Sequence, residues 1–365
     1  MVSYRKVIPW RGDLRVRLGT WCHRTGLLGP LRQMRAWHTR DLRILAYHRV
    51  LTVPDPDRFE FDLEVVSASA ECFREQMQLL RRNFHPLSLG EVVRRIEAGQ
   101  PMPRNAVAVT FDDGYDDNYR IAFPILRELG VPATFFVSTG HVDDGLPFAY
   151  DWLAHMVLHA PESRLQLPEV KLDVRVPTPL ELRRKLVENL LDRLKSLDDA
   201  AQAALIAGLE KAWNMPRDRA VADCRPMGWA QLREMHQAGF EIGSHGVTHR
   251  MLAKLPQDEL EWELCESKRV LERELGSAPN LLSYPVGGDR AFDARVIQAA
   301  RAAGYRLACS YISGTNPEPA TNRYALYRLP VERQMGPGWF AAMLSLPGLM
   351  AYPTARRTGV TAGES

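Results

Sequence analysis

The sequence predicts an α/β fold, a single distorted (β/α)7-type barrel with a helical insertion. Three observations predict it. Short apolar runs of strand length alternate with longer amphipathic stretches, the order expected of parallel strands joined by crossover helices. There are about seven such runs, enough to close a barrel. The polar residues best suited to chemistry, His48, Asp112, Asp113, His245 and His249, stand at or just after the carboxyl ends of those runs. In a parallel barrel those ends converge on one mouth.

Taken in order, Pro30 to Trp37 reads as a short basic helix, and Ile44-Leu45-Ala46-Tyr47 as a strand ending at His48. A helix is predicted from Ala70 to Arg82, with Phe73, Met77 and Leu80 on one face, and a second from Leu89 to Ala98. The strand Ala106 to Phe111 leads into Asp112-Asp113-Gly114. Asp116 or Asp117 is expected to cap the next helix, which Gly130 and Pro132 stop, and Ala133 to Ser138 returns as a strand. Residues 142–226 interrupt the rhythm. They read as a helical insertion, in which Thr178-Pro179-Leu180-Glu181 is a capping box opening a helical stretch to Trp213. Alternation resumes with a helix Trp229 to Ala238, a strand Phe240 to Ser244 and a helix Pro256 to Leu275. Strands follow at Leu281 to Tyr284, Tyr305 to Ser310 and Ala325 to Leu329. The expected organisation is a basic arm over 1–40, the barrel over 41–335 and a tail over 336–365, with Thr354 to Ser365 disordered.

With 365 residues, 45% hydrophobic and 25% charged, the chain has the composition of a globular protein with a substantial core. No run has transmembrane length. Arg5, Lys6, Arg11, Arg15 and Arg17 break every short apolar stretch near the N-terminus, so no signal peptide is read and cytoplasmic residence is expected. Five scattered cysteines, Cys22, Cys72, Cys224, Cys265 and Cys309, read as reduced thiols. Residues 1–50 carry eleven Arg or Lys against two Asp, so this segment is +9 and the remainder −6. Such an arm is either a solvated leader or a peripheral contact with anionic lipid. Nucleic acid is not an expected partner, since no groove-reading motif accompanies the charge.

The chemistry lies in Thr110-Phe111-Asp112-Asp113-Gly114 and Ser244-His245-Gly246-Val247-Thr248-His249. Alone, adjacent aspartates before Gly make a turn, and a His-x-x-x-His pair makes a surface feature. Together at strand ends, Asp113, His245 and His249 supply one carboxylate oxygen and two imidazole nitrogens. That is an open three-ligand site for a divalent metal, with a position left for water. Zinc is the first expectation; cobalt, nickel or iron suit the same ligands. Asp112 is then free to act as the base on that water. Asp151, His155 and His159 also recur at helical spacing, but a solvated helix face accounts for them. His141 is placed near the mouth without a role. Trp152, Trp213 and Trp229 offer a sugar-stacking wall, with core packing the safer reading for at least two.

These two runs resemble the first two motifs of the polysaccharide deacetylase family, carbohydrate esterase family four. The similarity continues through Tyr115, Asn118 and Ala133-Thr134-Phe135-Phe136-Val137, and again through Ser283-Tyr284-Pro285-Val286-Gly287. It implies Asp112 as base and Asp113, His245 and His249 as metal ligands. The third family motif reads Arg-x-Pro-Tyr, whereas here Ser283 and Val286 hold the Arg and Tyr positions. The backbone amide of Val286 can still serve the oxyanion, and Arg328, at the end of a late strand, substitutes for the missing Arg. The family also expects a late His as acid, yet none follows His249. The circularly permuted poly-N-acetylglucosamine deacetylases carry that His on the N-terminal strand, which Tyr47-His48 matches; the resemblance implies His48 as the acid.

The expected function is metal-dependent removal of N-acetyl groups from amino sugars of a polysaccharide or its lipid-linked precursor. Two alternatives stand beside it: an O-acetyl esterase or N-deformylase on a lipid-linked sugar, and a non-catalytic carbohydrate-binding protein.

Overall fold

The computed structural model describes residues 14–351 apart from 198, 218–221 and 278–279. Seven parallel strands close a barrel: β1 (Arg43–Tyr47), β2 (Ala106–Phe111), β3 (Ala133–Val137), β4 (Glu241–Ser244), β5 (Leu281–Ser283), β6 (Leu307–Ser313) and β7 (Leu326–Pro330). Closure comes from β1, which pairs with β2 on one side and β7 on the other. Strands buried on both faces read as continuous apolar runs, and all six residues of β2 are buried.

Register decides where the mouth residues meet. Tyr47 stands opposite Phe111, and Phe111 opposite Phe135. Val137 stands opposite Ser244, which also faces Leu282. The residues one step beyond these ends, His48, Asp112 and His245, therefore leave the barrel at nearly one level. The Asp112 amide still donates to the Tyr47 carbonyl at 3.0 Å, and the His245 amide to the Val137 carbonyl at 2.9 Å.

The helices follow the sequence signals closely where a cap and a stripe coincide. Ser69 accepts from the Cys72 amide at 3.2 Å to open the helix Ala70–Asn83, which buries Phe73, Met77 and Leu80. Ser88 does the same for Leu89–Glu97. Three expectations differ. Asp117 is not a cap; it is buried in an ion pair with Arg49 at 2.8 Å. Thr178 does not form a capping box, because its hydroxyl donates to Glu162 at 2.6 Å and the helix Leu180–Ser196 starts behind Pro179. The insertion is also not all helical: Arg164–Leu167 and Leu172–Arg175 form an antiparallel hairpin beside the helices Ala149–His159, Leu180–Ser196 and Asp199–Trp213. Trp152 and Trp213 are buried in the insertion's own apolar cluster. Trp229 donates to Asp143 at 2.7 Å.

The helix Pro337–Ser345 is buried on every side because Leu14–Arg24 packs against it. A Cβ at Gly338 would lie 2.8 Å from the Thr20 Cα, and one at Gly19 would lie 2.9 Å from the Ala342 Cβ. The two backbones approach too closely for larger residues. None of the five cysteines forms a disulfide. Among the described residues, no helix is long and apolar enough to cross a membrane. Arg5, Lys6, Arg11 and the segment Thr354 to Ser365 lie outside the described residues.

Candidate active site

Local backbone conformation turns the ligands inward. Asp113 has φ 74° and Gly114 φ 83°, so the chain reverses immediately after Asp112. A Cβ on Gly114 would sit 2.8 Å from Val137 Cγ1, which leaves room only for glycine. His249 (φ 60°) and Val286 (φ 65°) are also left-handed, a conformation that L-residues hold only when their surroundings enforce it. For the histidine loop, Glu263 does the enforcing. Fully buried on the helix Gln257–Leu275, it accepts from the Val247 amide at 2.6 Å, the Thr248 amide at 3.1 Å and the Thr248 hydroxyl. Sequence reading missed Glu263; its only signal is an acid on the apolar face of an amphipathic helix.

Asp113, His245 and His249 meet. Asp113 Oδ1 lies 3.4 Å from His245 Nε2 and 3.2 Å from His249 Nε2. Two ligands bonded to one tetrahedral zinc at about 2.0–2.1 Å lie roughly 3.3–3.4 Å apart, so the spacing fits the ion. The donor chemistry fits as well. His245 donates its Nδ1–H to the Ser283 carbonyl at 2.7 Å, so Nε2 is the nitrogen that faces Asp113 and that would ligate a metal. Burial opposes ionisation of Asp113, but hydrogen bonds from His245 and His249 overcome it and hold the carboxyl well below its ordinary value. Burial likewise opposes a charge on His245, but Asp112 and Asp113 carry it above the usual imidazole value. These three side chains can hold a divalent metal.

The second carboxylate is held apart from them. Arg328 grips Asp112 with both ends of its guanidinium, Nη1 to Oδ1 at 2.8 Å and Nη2 to Oδ2 at 2.6 Å. The same guanidinium donates to the Ser310 carbonyl at 2.6 Å, the Ser283 hydroxyl at 3.0 Å and the Thr110 hydroxyl at 3.2 Å. Ser283 at the motif's Arg position thus receives the Arg that β7 supplies. Burial raises the Asp112 pKa, but the charge and hydrogen bonds of Arg328 outweigh it and keep the carboxyl below its ordinary value.

His48 stands beside this pair, close enough to both aspartates to favour their charged forms. Its ring packs edge-on to Tyr311 at 5.2 Å. Its backbone is fixed by Ser67, which accepts from the His48 amide at 3.0 Å, and by Asn118, which donates to its carbonyl at 2.8 Å. Asp117 secures the next turn by accepting from the Val50 amide at 3.0 Å. The Tyr115-to-Asn118 stretch therefore anchors the loop that carries His48. Val286 is exposed at the rim.

One wall of the mouth comes from the insertion. The Tyr150 hydroxyl donates to Asp113 Oδ2 at 2.8 Å, on the oxygen the imidazoles leave open. Behind it, Tyr115 donates to Asp151 at 2.6 Å and lies 3.0 Å from the Tyr150 hydroxyl. Asp151 is wholly buried, which corrects the expectation of a solvated helix face; burial pushes its carboxyl up to about 7. His141 is half-buried and stacks on Phe148 at 4.1 Å, and desolvation holds it down to about 3. Phe148 in turn meets the His249 ring at 5.3 Å. Tyr150 and Phe148 were not read from the sequence, since nothing local marks which side chain of an insertion reaches the mouth.

The family model described as polysaccharide deacetylase matches residues 99–167 and 177–308. A poly-beta-1,6-N-acetyl-D-glucosamine N-deacetylase of Escherichia coli (strain K12) is 32% identical over 108 residues, 29% of this chain and 15% of that protein. The matched stretch is thus a small share of that relative's length. Among solved structures, the deacetylase PplD of Streptococcus pyogenes aligns with a TM-score of 0.56 at 19% identity, over 86% of this chain and 99% of that one. IcaB of Ammonifex degensii aligns with a TM-score of 0.53 at 19% identity, over 84% and 97%. Both structures share the fold described above.

Proposed function

The chain belongs to the polysaccharide deacetylase family, a family of hydrolases, and from that premise we propose that it removes N-acetyl groups from amino sugars of a polysaccharide or its lipid-linked precursor. One observation carries the reading: a buried carboxylate shared by two imidazoles lies beside a second carboxylate reserved by an arginine. Asp113, His245 and His249 would hold the divalent ion, with zinc favoured by the donor set and cobalt, nickel or iron also suited to it. When bound, such an ion supplies Lewis-acid polarisation and lowers the pKa of water.

The residues of the chain do the rest. Asp112, kept ionised at neutral pH by Arg328, takes the proton of the attacking water. The Val286 amide, in a left-handed turn exposed at the rim, donates to the acyl oxygen as negative charge grows there. His48 gives a proton to the leaving amine, and acetate departs. The assay that tests this measures acetate and free amine from N-acetylglucosamine oligomers, beside O-acetyl and N-formyl substrates. Acetate release with matching new amines is expected. Release from esters or formyl groups alone would replace the reading, and no release from any of them would leave a carbohydrate-binding protein.

His48→Ala is expected to keep its metal and to lose about 10²-fold or more in turnover, the usual share of a general acid. An unchanged rate on the N-acetyl substrate would remove His48 from the mechanism.

The N-terminal helices support a finer reading, contact with an anionic membrane surface. Residues 14–40 contain six arginines and neither Asp nor Glu. Leu14, Leu18 and Trp21 stand exposed at one-turn spacing on the first helix, and Leu27, Met34 and Trp37 are exposed on the helix Leu28–His38 and the residue before it. Exposed Trp and Leu flanked by Arg alone is the composition of an interfacial helix. Sedimentation with phosphatidylglycerol vesicles and not with phosphatidylcholine vesicles is expected. The double variant Trp21→Glu, Trp37→Glu should stay in the supernatant while still cleaving soluble oligomers. Sedimentation of that variant, or no sedimentation of the native chain, would end the membrane reading.

A further inference from the structure

Three more metal-ligating side chains converge away from the mouth, at Glu60, His155 and His159. His155 and His159 are four residues apart on the helix Ala149–His159, so both rings project from one face, one turn apart. Glu60 reaches them from the connection between β1 and the short strand Val66–Ala68. Its two oxygens are divided between the rings: His155 Nδ1 lies 3.7 Å from Oε2, and His159 Nε2 lies 3.6 Å from Oε1. These separations are too long for good hydrogen bonds. They are a few tenths of an ångström longer than the roughly 3.3–3.4 Å between neighbouring ligands of one tetrahedral ion.

The His155 ring has little freedom. It stacks on Trp152 at 4.6 Å and on Phe61 at 5.5 Å, and its centroid is 4.4 Å from that of His159. Its Nδ1 is buried with no hydrogen-bond partner. Buried polar atoms are almost always satisfied, so an orphan aimed at a carboxylate and a second imidazole marks a place for a cation.

We propose that Glu60, His155 and His159 bind a second divalent transition-metal ion, of the zinc, nickel or cobalt class, separate from the one at Asp113. Two imidazoles and a carboxylate are the ligand types of a borderline ion. The half-exposed positions of Glu60 and His159 leave its remaining coordination to water. The ion clamps the insertion to the barrel. The first turn of the ligand-bearing helix holds Tyr150 and Asp151, which back Asp113, while the segment that supplies Glu60 continues from the loop of His48. One ion therefore fixes both walls of the mouth relative to each other.

The test counts ions by site. The chain is equilibrated with zinc, desalted and assayed for bound metal, first as the Asp113→Ala variant, which removes the catalytic ligand. One ion per chain is expected to remain, and a rise in melting temperature on zinc addition should remain with it. Adding His159→Ala, or separately Glu60→Gln, should abolish both. If Asp113→Ala fails to fold, His249→Ala serves in its place. An Asp113→Ala chain without metal, or one whose metal survives both His159→Ala and Glu60→Gln, overturns the proposal. The count is independent of the catalytic reading. A native chain whose single ion disappears with His159→Ala but not with Asp113→Ala upholds this site and defeats the other.

Discussion

Asp112→Asn is expected to load its metal normally and to lose nearly all acetate release. The substitution conserves size and keeps a carbonyl oxygen for Arg328, but an amide cannot take a proton from water. The three ligands do not depend on Asp112: Asp113 is bonded by Tyr150 and faced by the two imidazoles, and His245 is oriented by the Ser283 carbonyl. General bases contribute about 10²–10⁴-fold, and a loss of about 10³-fold corresponds to about 4 kcal/mol of transition-state stabilisation. The loss should appear in kcat, since the base acts on water and not on the sugar. Metal content per chain and turnover at saturating substrate decide the matter. A variant that holds its metal and works at full rate would strike Asp112 from the mechanism.

The seven strands, the mouth and its four central residues were legible because each rests on a local signal that the fold amplifies. β2 is a six-residue apolar run, all of it buried, and its end places Asp112 and Asp113 wherever a parallel barrel places strand ends. Arg328 could be anticipated only as a charge at the end of a late strand; its fivefold bonding to Asp112, Ser283, Thr110 and Ser310 depends on strands more than 200 residues apart in sequence for the Asp112 contacts. Glu263, Asp117 and Asp151 were illegible for one shared physical reason. Each is an acid that a pattern argument assigns to solvent or to a cap, and each is buried because a distant partner satisfies it: the Val247 and Thr248 amides, Arg49 and Tyr115 respectively. Helical periodicity gives the face a residue occupies, not whether that face carries the donor that makes burial affordable. The insertion hairpin failed on length, since four alternating residues such as Arg164–Leu167, exposed and buried in turn, are too few to outweigh the helical stretches around them.

Arg328 carries the second large effect. Arg328→Met should leave Asp112 buried without a counter-ion, and breaking a buried pair in this way costs about 3–5 kcal/mol of stability. The native pair has a definite pH window. Burial alone would raise the Asp112 pKa, and Arg328 reverses the sign, so the carboxyl titrates below its unfolded value of about 3.9. A depressed pKa stabilises the fold above the unfolded pKa, and that contribution disappears as pH falls through the native pKa. Without the guanidinium, burial is opposed only by weaker neighbours, and the pKa moves upward. The acid limb of kcat/KM should therefore shift to higher pH in Arg328→Met, with turnover near neutrality reduced because less of the base is ionised. Arg328→Lys separates charge from geometry: it keeps a cation near Asp112 but cannot make two parallel bonds. It should show a smaller shift of the acid limb and a smaller fall in melting temperature than the Met variant. Profiles that superpose on the native one in both variants would mean that the base owes its ionisation to some other group, and the assignment of Arg328 as the residue that replaces the motif's missing arginine would fail with it.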